Sequence, residues 1–179
     1  MPPDIMLESE RLFYRPYRAD DLEWLIEMRT PEPVARYLGG SRMQNREALT
    51  KRTPFYIECH EKYGFGMCVM GLRETGELIG TSGLQPLEDT GDIEVGYNMS
   101  EQYWGKGYGT ECARAWLRYG FEKAGLERIV AIAIPENRAS WHIMEKLGMT
   151  YEKTEEHYGS ECVFYAISKS DFESLHPST

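Results

Sequence analysis

One glycine-rich stretch near the middle of the chain lies between a predicted strand and a predicted helix, and this order restricts the possible folds. The stretch is Tyr103-Trp104-Gly105-Lys106-Gly107-Tyr108-Gly109-Thr110. Polar and apolar side chains alternate over residues 92–99, which predicts a half-buried strand. Apolar residues recur over 109–124 at the spacing of one helix face, and Gly125 follows where a helix would stop. The chain is therefore predicted to run here from strand to loop to helix.

Such a loop is suited to bind an anion. Glycines leave the backbone N–H groups open to a ligand, and the following helix adds partial positive charge at its N-terminus. The expected ligand is a phosphate or pyrophosphate. The spacing Gly105-x-Gly107-x-Gly109 matches neither a P-loop nor a dinucleotide fingerprint, and the loop does not open a parallel βαβ unit. A nicotinamide-dependent oxidoreductase is therefore a weak alternative.

Composition limits the classes of protein that fit. The 179 residues are 41% hydrophobic and 27% charged, which is typical of a soluble globular protein, and one domain over residues 1–179 is expected. A net charge of −9 without a basic stripe argues against nucleic acid. This charge suits a cationic amine substrate, although it could serve only solubility.

Membrane attachment and metal binding are not expected. No apolar run approaches the roughly 20 residues of a spanning helix. The start, Met1-Pro2-Pro3-Asp4, lacks a signal-peptide pattern, so a cytoplasmic location is predicted. The histidines and cysteines show no ligand spacing, and the cysteines are interpreted as reduced core residues: Cys59, Cys68, Cys112 and Cys162.

The remaining elements predict an α/β (α+β) fold with a mixed, mostly antiparallel sheet of about six to seven strands flanked by helices. Pro16 places the first strand near an edge, and Pro54 could divide one helix in two. Besides 92–99, strands are predicted over 12–17, 67–72, 78–87, 128–134, 149–158 and 162–168. Besides 109–124, helices are predicted over 22–29, 34–38, about 45–62 and about 138–147.

Two motifs in this order resemble those of the GNAT family of N-acetyltransferases. Residues 104–111 are similar to its acyl-CoA pyrophosphate loop, whose pattern is Arg or Gln, two residues, Gly, one residue, and Gly or Ala. Trp104 takes the Arg/Gln position, whereas Gln102-x-x-Gly105-x-Gly107 also fits the literal pattern. Downstream, Asn137-x-x-Ser140 and the run Met144-Glu145-Lys146-Leu147-Gly148-Met149 resemble the family's Asn-x-x-Ser helix, which ends in Glu-Lys-Leu-Gly-Phe.

A branch of the family is also indicated. Trp104 with the preceding Tyr103 resembles the RimJ/RimL-like branch, which acetylates the N-termini of ribosomal proteins, and so do residues 7–12 and 164–167. The resemblance implies an acetyl-CoA-dependent N-acetyltransferase. Its acceptor would be a protein or peptide N-terminal α-amine, or alternatively a polyamine or an aminoglycoside-like amine. A non-catalytic acyl-CoA-binding sensor is a further alternative.

The resemblance also implies where acetyl-CoA binds. The strand over 92–99 would splay from the strand over 128–134 and open a slot for the thioester. Backbone N–H groups from about Gly105 to Thr110 would hold the pyrophosphate, and Lys106 would either meet a phosphate or stay solvated. Trp104 and Tyr108 are expected to pack the loop. The full implied set is Tyr97, Asn98, Met99, Trp104, Gly105, Lys106, Gly107, Tyr108, Gly109, Thr110, Asn137 and Ser140.

Acetyl transfer from a thioester to an amine requires a group that accepts the amine proton. Glu94 is the leading candidate, because it shares the polar face of its strand with Gly96 and Asn98. The small Gly96 would leave room for substrate. The alternative for Glu94 is a salt bridge or a solvated carboxylate.

The leaving thiolate requires a proton donor. Many family members carry a Tyr seven residues after the motif Asn, where this chain has Met144. Ser140 is the best remaining candidate, although a Ser in the first turn of a helix could simply bond the backbone. Three tyrosines could also reach the site: Tyr151, Tyr158 and Tyr165.

The acceptor pocket is expected between three segments that carry no readable motif: residues 24–38, residues 45–62 and the last hairpin. The exposed edge of that hairpin could support a dimer, so both a monomer and a homodimer remain open.

Overall fold

An eight-stranded sheet forms the centre of the computed structural model, which describes residues 4–177. The strands are β1 (Leu7–Glu8), β2 (Leu12–Pro16), β3 (Met67–Leu72), β4 (Leu78–Pro86), β5 (Ile93–Met99), β6 (Arg128–Ala133), β7 (Thr150–His157) and β8 (Ser160–Ser168). Their spatial order is β1-β2-β3-β4-β5-β6-β8-β7, and only the pair β5 and β6 is parallel. The predicted fold class is confirmed, with eight strands where six to seven were expected.

Helices cover both faces of this sheet. They are α1 (Leu22–Arg29), α2 (Glu32–Ala35), α3 (Arg46–Tyr63), α4 (Tyr108–Glu122), α5 (Arg138–Lys146) and α6 (Lys169–Leu175). Alternate residues of β3 point to opposite faces, so Cys68 and Met70 join the core under α4, α5 and α6, whereas Met67 and Val69 join the core under α1, α2 and α3. All four cysteines are buried, as predicted for core residues.

Helix α4 explains why the central motif folds as predicted. Its apolar residues lie on one face, and Trp116, Leu117 and Phe121 are at most 1% exposed. Burying a large apolar side chain contributes roughly 1.5–3 kcal/mol, so this stripe fixes the helix to the sheet. The start of the helix, and with it the glycine-rich loop, is thereby held against the end of β5.

The structure corrects several predicted elements. Pro54 does not divide the third helix, because α3 runs unbroken over Arg46–Tyr63 and position 54 faces solvent, where the freed carbonyl can bind water. The predicted helix over 34–38 lies earlier, at Glu32–Ala35, after Pro31. Strand β1 was missed because two residues show no periodicity.

Helix α6 was missed although a start signal is present. The Ser168 side chain accepts a hydrogen bond from the backbone N–H of Asp171, which caps this helix. The residues from Met1 to Pro3, on which the expectation of no signal peptide rested in part, lie outside the described residues. So do Ser178 and Thr179, the last residues of the domain expected over 1–179.

The sheet splays between β5 and β6, as the resemblance implied. The two strands pair at one register position, Glu94 with Val130. By contrast, β4 pairs with β5 as far as Met99, and β6 pairs with β8 as far as Ala133. The carboxyl-terminal halves of β5 and β6 therefore diverge, and a gap opens in the middle of the sheet.

Two properties of residues 4–177 bear on membranes and metals. No helix there combines the length and apolar character that crossing a bilayer requires. No three His, Cys, Asp or Glu side chains of that range come together as a metal site would need.

Candidate active site

The gap between β5 and β6 opens into two connected cavities. One, called the loop cleft, has a volume of about 570 Å³ and lies against the glycine-rich loop and the start of α5. The other, called the Glu94 cavity, has a volume of about 440 Å³ and lies between β5, α1, α3 and the β7–β8 hairpin. Six residues line both of them: Tyr37, Leu38, Tyr97, Asn98, Asn137 and Ser140.

The loop cleft presents backbone N–H groups at the start of α4. Gly105 and Gly107 have φ values of 71° and 82°, a left-handed conformation that glycine adopts without strain. Gly107 is the N-cap of α4, and as a glycine it has no side chain that could accept a hydrogen bond from the first turn. Because the first N–H groups of a helix have no acceptor within it, they are available to an anion in the cleft.

The side chains of the loop fix its shape. The indole N–H of Trp104 donates to the carbonyl of Met99 at 3.0 Å, which ties the loop to the end of β5. The Tyr108 ring lies 4.5 Å from the Arg11 guanidinium. Lys106 does not line the loop cleft, and its Nζ lies 5.6 Å from the centre of the Tyr103 ring. All other residues of the predicted acetyl-CoA set line the cleft.

Glu111 anchors the N-terminal segment to this loop. It accepts hydrogen bonds from Ser9 Oγ, Arg11 N and Arg11 Nε, each at 2.7 Å. Partial burial would raise the pKa of Glu111, but these hydrogen bonds outweigh it and lower the pKa. The sequence predicted only a favourable helix-dipole interaction for Glu111, because its partners lie about a hundred positions away.

At the junction of the cavities, Ser140 is held by two residues. Asn137 Oδ1 accepts from the backbone N–H of Ser140 at 3.3 Å and caps α5. The Tyr97 hydroxyl lies 3.1 Å from Ser140 Oγ and 3.1 Å from the Ser140 carbonyl oxygen. The Ser140 side chain thus bonds a phenol across the gap, and burial raises the pKa of that phenol.

Glu94 is 5% exposed and has two neutral hydrogen-bond donors. Its Oε1 accepts from Gln85 Nε2 at 2.8 Å and from the Tyr158 hydroxyl at 2.7 Å. Burial raises the pKa of Glu94, and both hydrogen bonds oppose that rise. Neither predicted alternative is seen. No cation of residues 4–177 forms a salt bridge with Glu94, and the carboxylate is buried rather than solvated.

A strained pair of residues positions Tyr158. Glu88 and Tyr158 have φ values of 47° and 50°, and they are the non-glycine residues with positive φ in the described chain. Glu88 Oε1 accepts from the Tyr158 backbone N–H at 3.0 Å, and Glu88 Oε2 lies 2.7 Å from His157 Nδ1. Such strain persists only where surrounding contacts enforce it. Here those contacts direct the Tyr158 hydroxyl onto Glu94.

The other acid candidates lie elsewhere. Tyr165 donates to Glu145 Oε1 at 3.0 Å, and the Tyr151 hydroxyl bonds Thr154 Oγ1 at 2.8 Å. Neither tyrosine lines the loop cleft or the Glu94 cavity, whereas Tyr158 lines the latter. Met144 is buried and lines the Glu94 cavity, where its thioether has no proton to give.

All three segments predicted for the acceptor pocket line the Glu94 cavity. Sequence reasoning missed the residues that give this cavity its polarity, because no local pattern distinguishes them. They are Arg29, Arg52, Gln85 and His157. In the loop cleft it missed the basic side chains of Arg138 and Lys146, whose spacing of eight residues also fits an ordinary solvated helix face.

Comparisons with known proteins identify relatives of this chain. The family model "Acetyltransferase (GNAT) domain" matches residues 11–150. An uncharacterized N-acetyltransferase of Bacillus subtilis, YoaA, is 32% identical over 82% of this chain and 84% of its own length. The uncharacterized YkkB of the same organism is 35% identical over 69% of this chain and 72% of its own length. The crystal structure of an acetyltransferase from Agrobacterium tumefaciens superposes with a TM-score of 0.79 at 27% identity, covering 90% of this chain and 92% of that one.

Proposed function

The chain belongs to the GNAT family of acetyltransferases and is an acetyl-CoA-dependent acyltransferase, and we propose that its acceptor is the α-amine at the N-terminus of a protein or peptide. The observation that carries this proposal is the junction at Tyr97, Asn98, Asn137 and Ser140, where the loop cleft meets a cavity that holds a buried carboxylate. A thioester in one cavity and an amine in the other would meet there. We also propose that residues 1–179 form one acetyltransferase domain.

In this proposal the loop cleft binds acetyl-CoA as a substrate. The N–H groups between Gly105 and Thr110 bind the pyrophosphate, since the first turn of α4 has no acceptors within the helix and the glycines before it leave the backbone uncovered. The backbone groups of Tyr97–Met99 that face the gap form hydrogen bonds with the pantetheine arm. Arg138 and Lys146 line the cleft and supply positive charge for phosphate groups.

Glu94 acts as the general base. Its pKa is raised by burial, so its carboxylate is a better proton acceptor than a solvated one. An α-amine with a pKa of about 8 is already partly neutral at neutral pH, whereas a lysine-type amine near 10.4 is not. One hydrogen-bonded carboxylate is therefore sufficient for an α-amine, which favours this acceptor over lysine-like amines.

Ser140 gives the proton to the leaving sulfur. The amine nitrogen bonds to the thioester carbonyl carbon and gives its proton to Glu94, the C–S bond breaks, and the Ser140 hydroxyl protonates the thiolate of CoA. Water then returns a proton to Ser140 and takes the proton from Glu94, which restores both groups. The Tyr97 hydroxyl, 3.1 Å from Ser140 Oγ, orients that group. In net terms one proton passes from the amine to the thiol.

The acceptor proposal also takes up the RimJ/RimL-like branch. Its support is the Tyr103-Trp104 pair at the loop, where Trp104 replaces the usual Arg or Gln. The indole hydrogen bond to Met99 supports this assignment, because it fixes the loop without a charged side chain.

A panel of acceptors tests the proposal. The purified protein is incubated with acetyl-CoA and one amine at a time, and thiol release is measured together with the mass of the product. The amines are a short peptide with a free N-terminus, the same peptide with a blocked N-terminus and a free lysine, spermidine, and an aminoglycoside. We expect the highest kcat/KM for the free N-terminus. A higher value for any of the other three would overturn the proposed acceptor.

A further inference from the structure

Arg29 is a buried cation without a counterion among the described residues. It is 4% exposed, and no carboxylate of residues 4–177 forms a salt bridge with it. A guanidinium has five N–H donors, and Arg29 Nη1 donates to the Tyr56 hydroxyl at 3.1 Å while Nη2 donates to Thr81 Oγ1 at 2.8 Å. Its Nε has no partner within the described residues. Burying an uncompensated charge is costly, so an unpaired arginine in this setting calls for a ligand.

This side chain lies in the Glu94 cavity, close to the proposed site of acetyl transfer. Arg29 lines the cavity together with Asn98. Thr81 connects the two, since its hydroxyl accepts from Arg29 and lies 3.1 Å from Asn98 Oδ1. Asn98 is also one of the residues at which the two cavities meet. The Arg29 side chain therefore borders the acceptor side of the junction.

The charge of the cavity differs from that of the chain. The chain carries a net charge of −9. Among the residues that line the Glu94 cavity, however, Arg29 and Arg52 are positive, and Glu94 is the carboxylate. A polycationic amine would meet two arginines there. An acceptor that carries a negative group beside its amine would be complementary.

We propose that the acceptor of this enzyme carries a carboxylate near its reactive amine, and that Arg29 binds this carboxylate. The inference rests on the proposed function and narrows it to peptides with Asp or Glu in the first positions after the N-terminus. An extended peptide advances about 3.3 Å per residue. With the amine at the junction, an acidic side chain at the second or third residue therefore stays within reach of Arg29, which Thr81 links to Asn98.

Arginine is suited to this role. Its planar group binds a carboxylate through two parallel N–H donors, whereas Tyr56 and Thr81 offer neutral oxygens and leave the charge uncompensated. A glutamine side chain in the acceptor has the same shape but carries no charge, so it would leave the guanidinium without a counterion. Discrimination between a carboxylate and its amide is therefore the expected signature.

Three matched peptides that differ only at the second residue, which is Glu, Gln or Lys, test the inference on the wild-type enzyme. We expect kcat/KM to be about tenfold higher for Glu than for Gln, and lower still for Lys. A second arm compares free glutamate with glutamine and with the α-amide of glutamine, which distinguishes a small acceptor from a peptide. Equal rates for acid and amide in every class that is acetylated would overturn the inference, whereas the proposed α-amine function would stand.

Variants separate recognition from folding. In the Arg29→Gln variant, the ratio of kcat/KM for the Glu peptide to kcat/KM for the Gln peptide should fall to about one. The affinity of this variant for acetyl-CoA, measured by calorimetry, should stay at the wild-type value. The matched control is Arg114→Gln, an exposed position on α4 outside both cavities. If Arg29→Gln does not fold, Arg29→Lys and the partly buried Arg52→Gln should each lower the same ratio. An unchanged ratio in every folded variant at positions 29 and 52 would refute the assignment.

Preference for free glutamate with no turnover of peptides would retain the carboxylate site and overturn the peptide acceptor.

Discussion

The loop cleft and the Glu94 cavity meet at the same residues, yet they are built in different ways. The loop cleft is formed by short stretches of consecutive residues, and in the proposed binding mode its principal binding groups are backbone N–H groups beside two left-handed glycines. The Glu94 cavity is formed by side chains from β4, β5, α1, α3 and the last hairpin, which are distant in sequence. A site made of backbone depends on local sequence, whereas a site made of buried side chains depends on tertiary packing.

The two sites also differ in exposure. Trp104 in the loop cleft is 40% exposed, whereas Arg29 and Glu94 in the other cavity are 4% and 5% exposed. Electrostatic interactions strengthen as water is excluded, so a single charge in the Glu94 cavity has more effect than one at the cleft surface. We therefore expect the cleft to determine binding of acetyl-CoA and the cavity to determine rate and acceptor choice.

The largest effect is expected from filling the loop cleft. Ala139 lines the cleft from the exposed first turn of α5, so Ala139→Trp adds an indole without backbone strain. Affinity for acetyl-CoA should fall at least about a thousandfold, roughly 4 kcal/mol, as measured by calorimetry. The control is Ala19→Trp, the same change at an exposed alanine outside both cavities. Unchanged affinity in Ala139→Trp would show that acetyl-CoA binds elsewhere.

Removing the carboxylate should affect the other cavity alone. Glu94→Gln keeps the shape of the side chain but cannot accept a proton, and we expect kcat to fall about a hundredfold with acetyl-CoA affinity unchanged. Steady-state rates at saturating substrates measure this. Glu127→Gln, at an exposed position outside both cavities, is the matched control. A wild-type rate in Glu94→Gln would exclude Glu94 as the base.

A smaller loss is expected at the junction. Ser140→Ala removes the hydroxyl that lies 3.1 Å from the Tyr97 hydroxyl, and kcat should fall about tenfold because water can partly replace the proton donor. Replacing the thioester by one with a more acidic thiol should reduce the difference between variant and wild type, since such a leaving group needs less protonation. A constant difference across leaving groups would contradict the proton-donor role.

The smallest effect is a shift of pH dependence. Burial raises the pKa of Glu94, and the Tyr158 hydroxyl opposes that rise by bonding to the charged form. Tyr158→Phe removes this bond, so the pKa should rise further and the acidic limb of the kcat profile should move to higher pH. The rate at the optimum should fall only about threefold. The matched control is Tyr151→Phe, because Tyr151 lies in the same hairpin and is 50% exposed. This change should leave the acidic limb of the kcat profile at the wild-type pH. Equal profiles for the two variants would argue against Tyr158 as a partner of the base.

The fold and the loop cleft were predictable because their signals are local. Periodicity, turn residues and caps within about fifteen positions predict the strand, loop and helix around Gly107. The same signals predict the helix after Asn137. The surroundings of Glu94 were not predictable, since Gln85 and Tyr158 reach it only after β4 and the last hairpin have packed. Arg29 lies in an ordinary helical pattern, and what distinguishes it is its burial without a counterion from residues 4–177.

The single register pair between β5 and β6 has a consequence for the energetics of the whole sheet. Under the proposed binding mode, the pantetheine arm pairs with β5 inside the gap and acts as a temporary strand. Ligand binding would then add to the cooperativity of the fold as well as to its stability, because two halves of the sheet that are weakly joined become coupled. Amide hydrogens along the diverging ends of β5 and β6 should exchange fast in the free protein and slowly in the complex. Ligand occupancy of the gap would then set how often the sheet opens locally between β5 and β6.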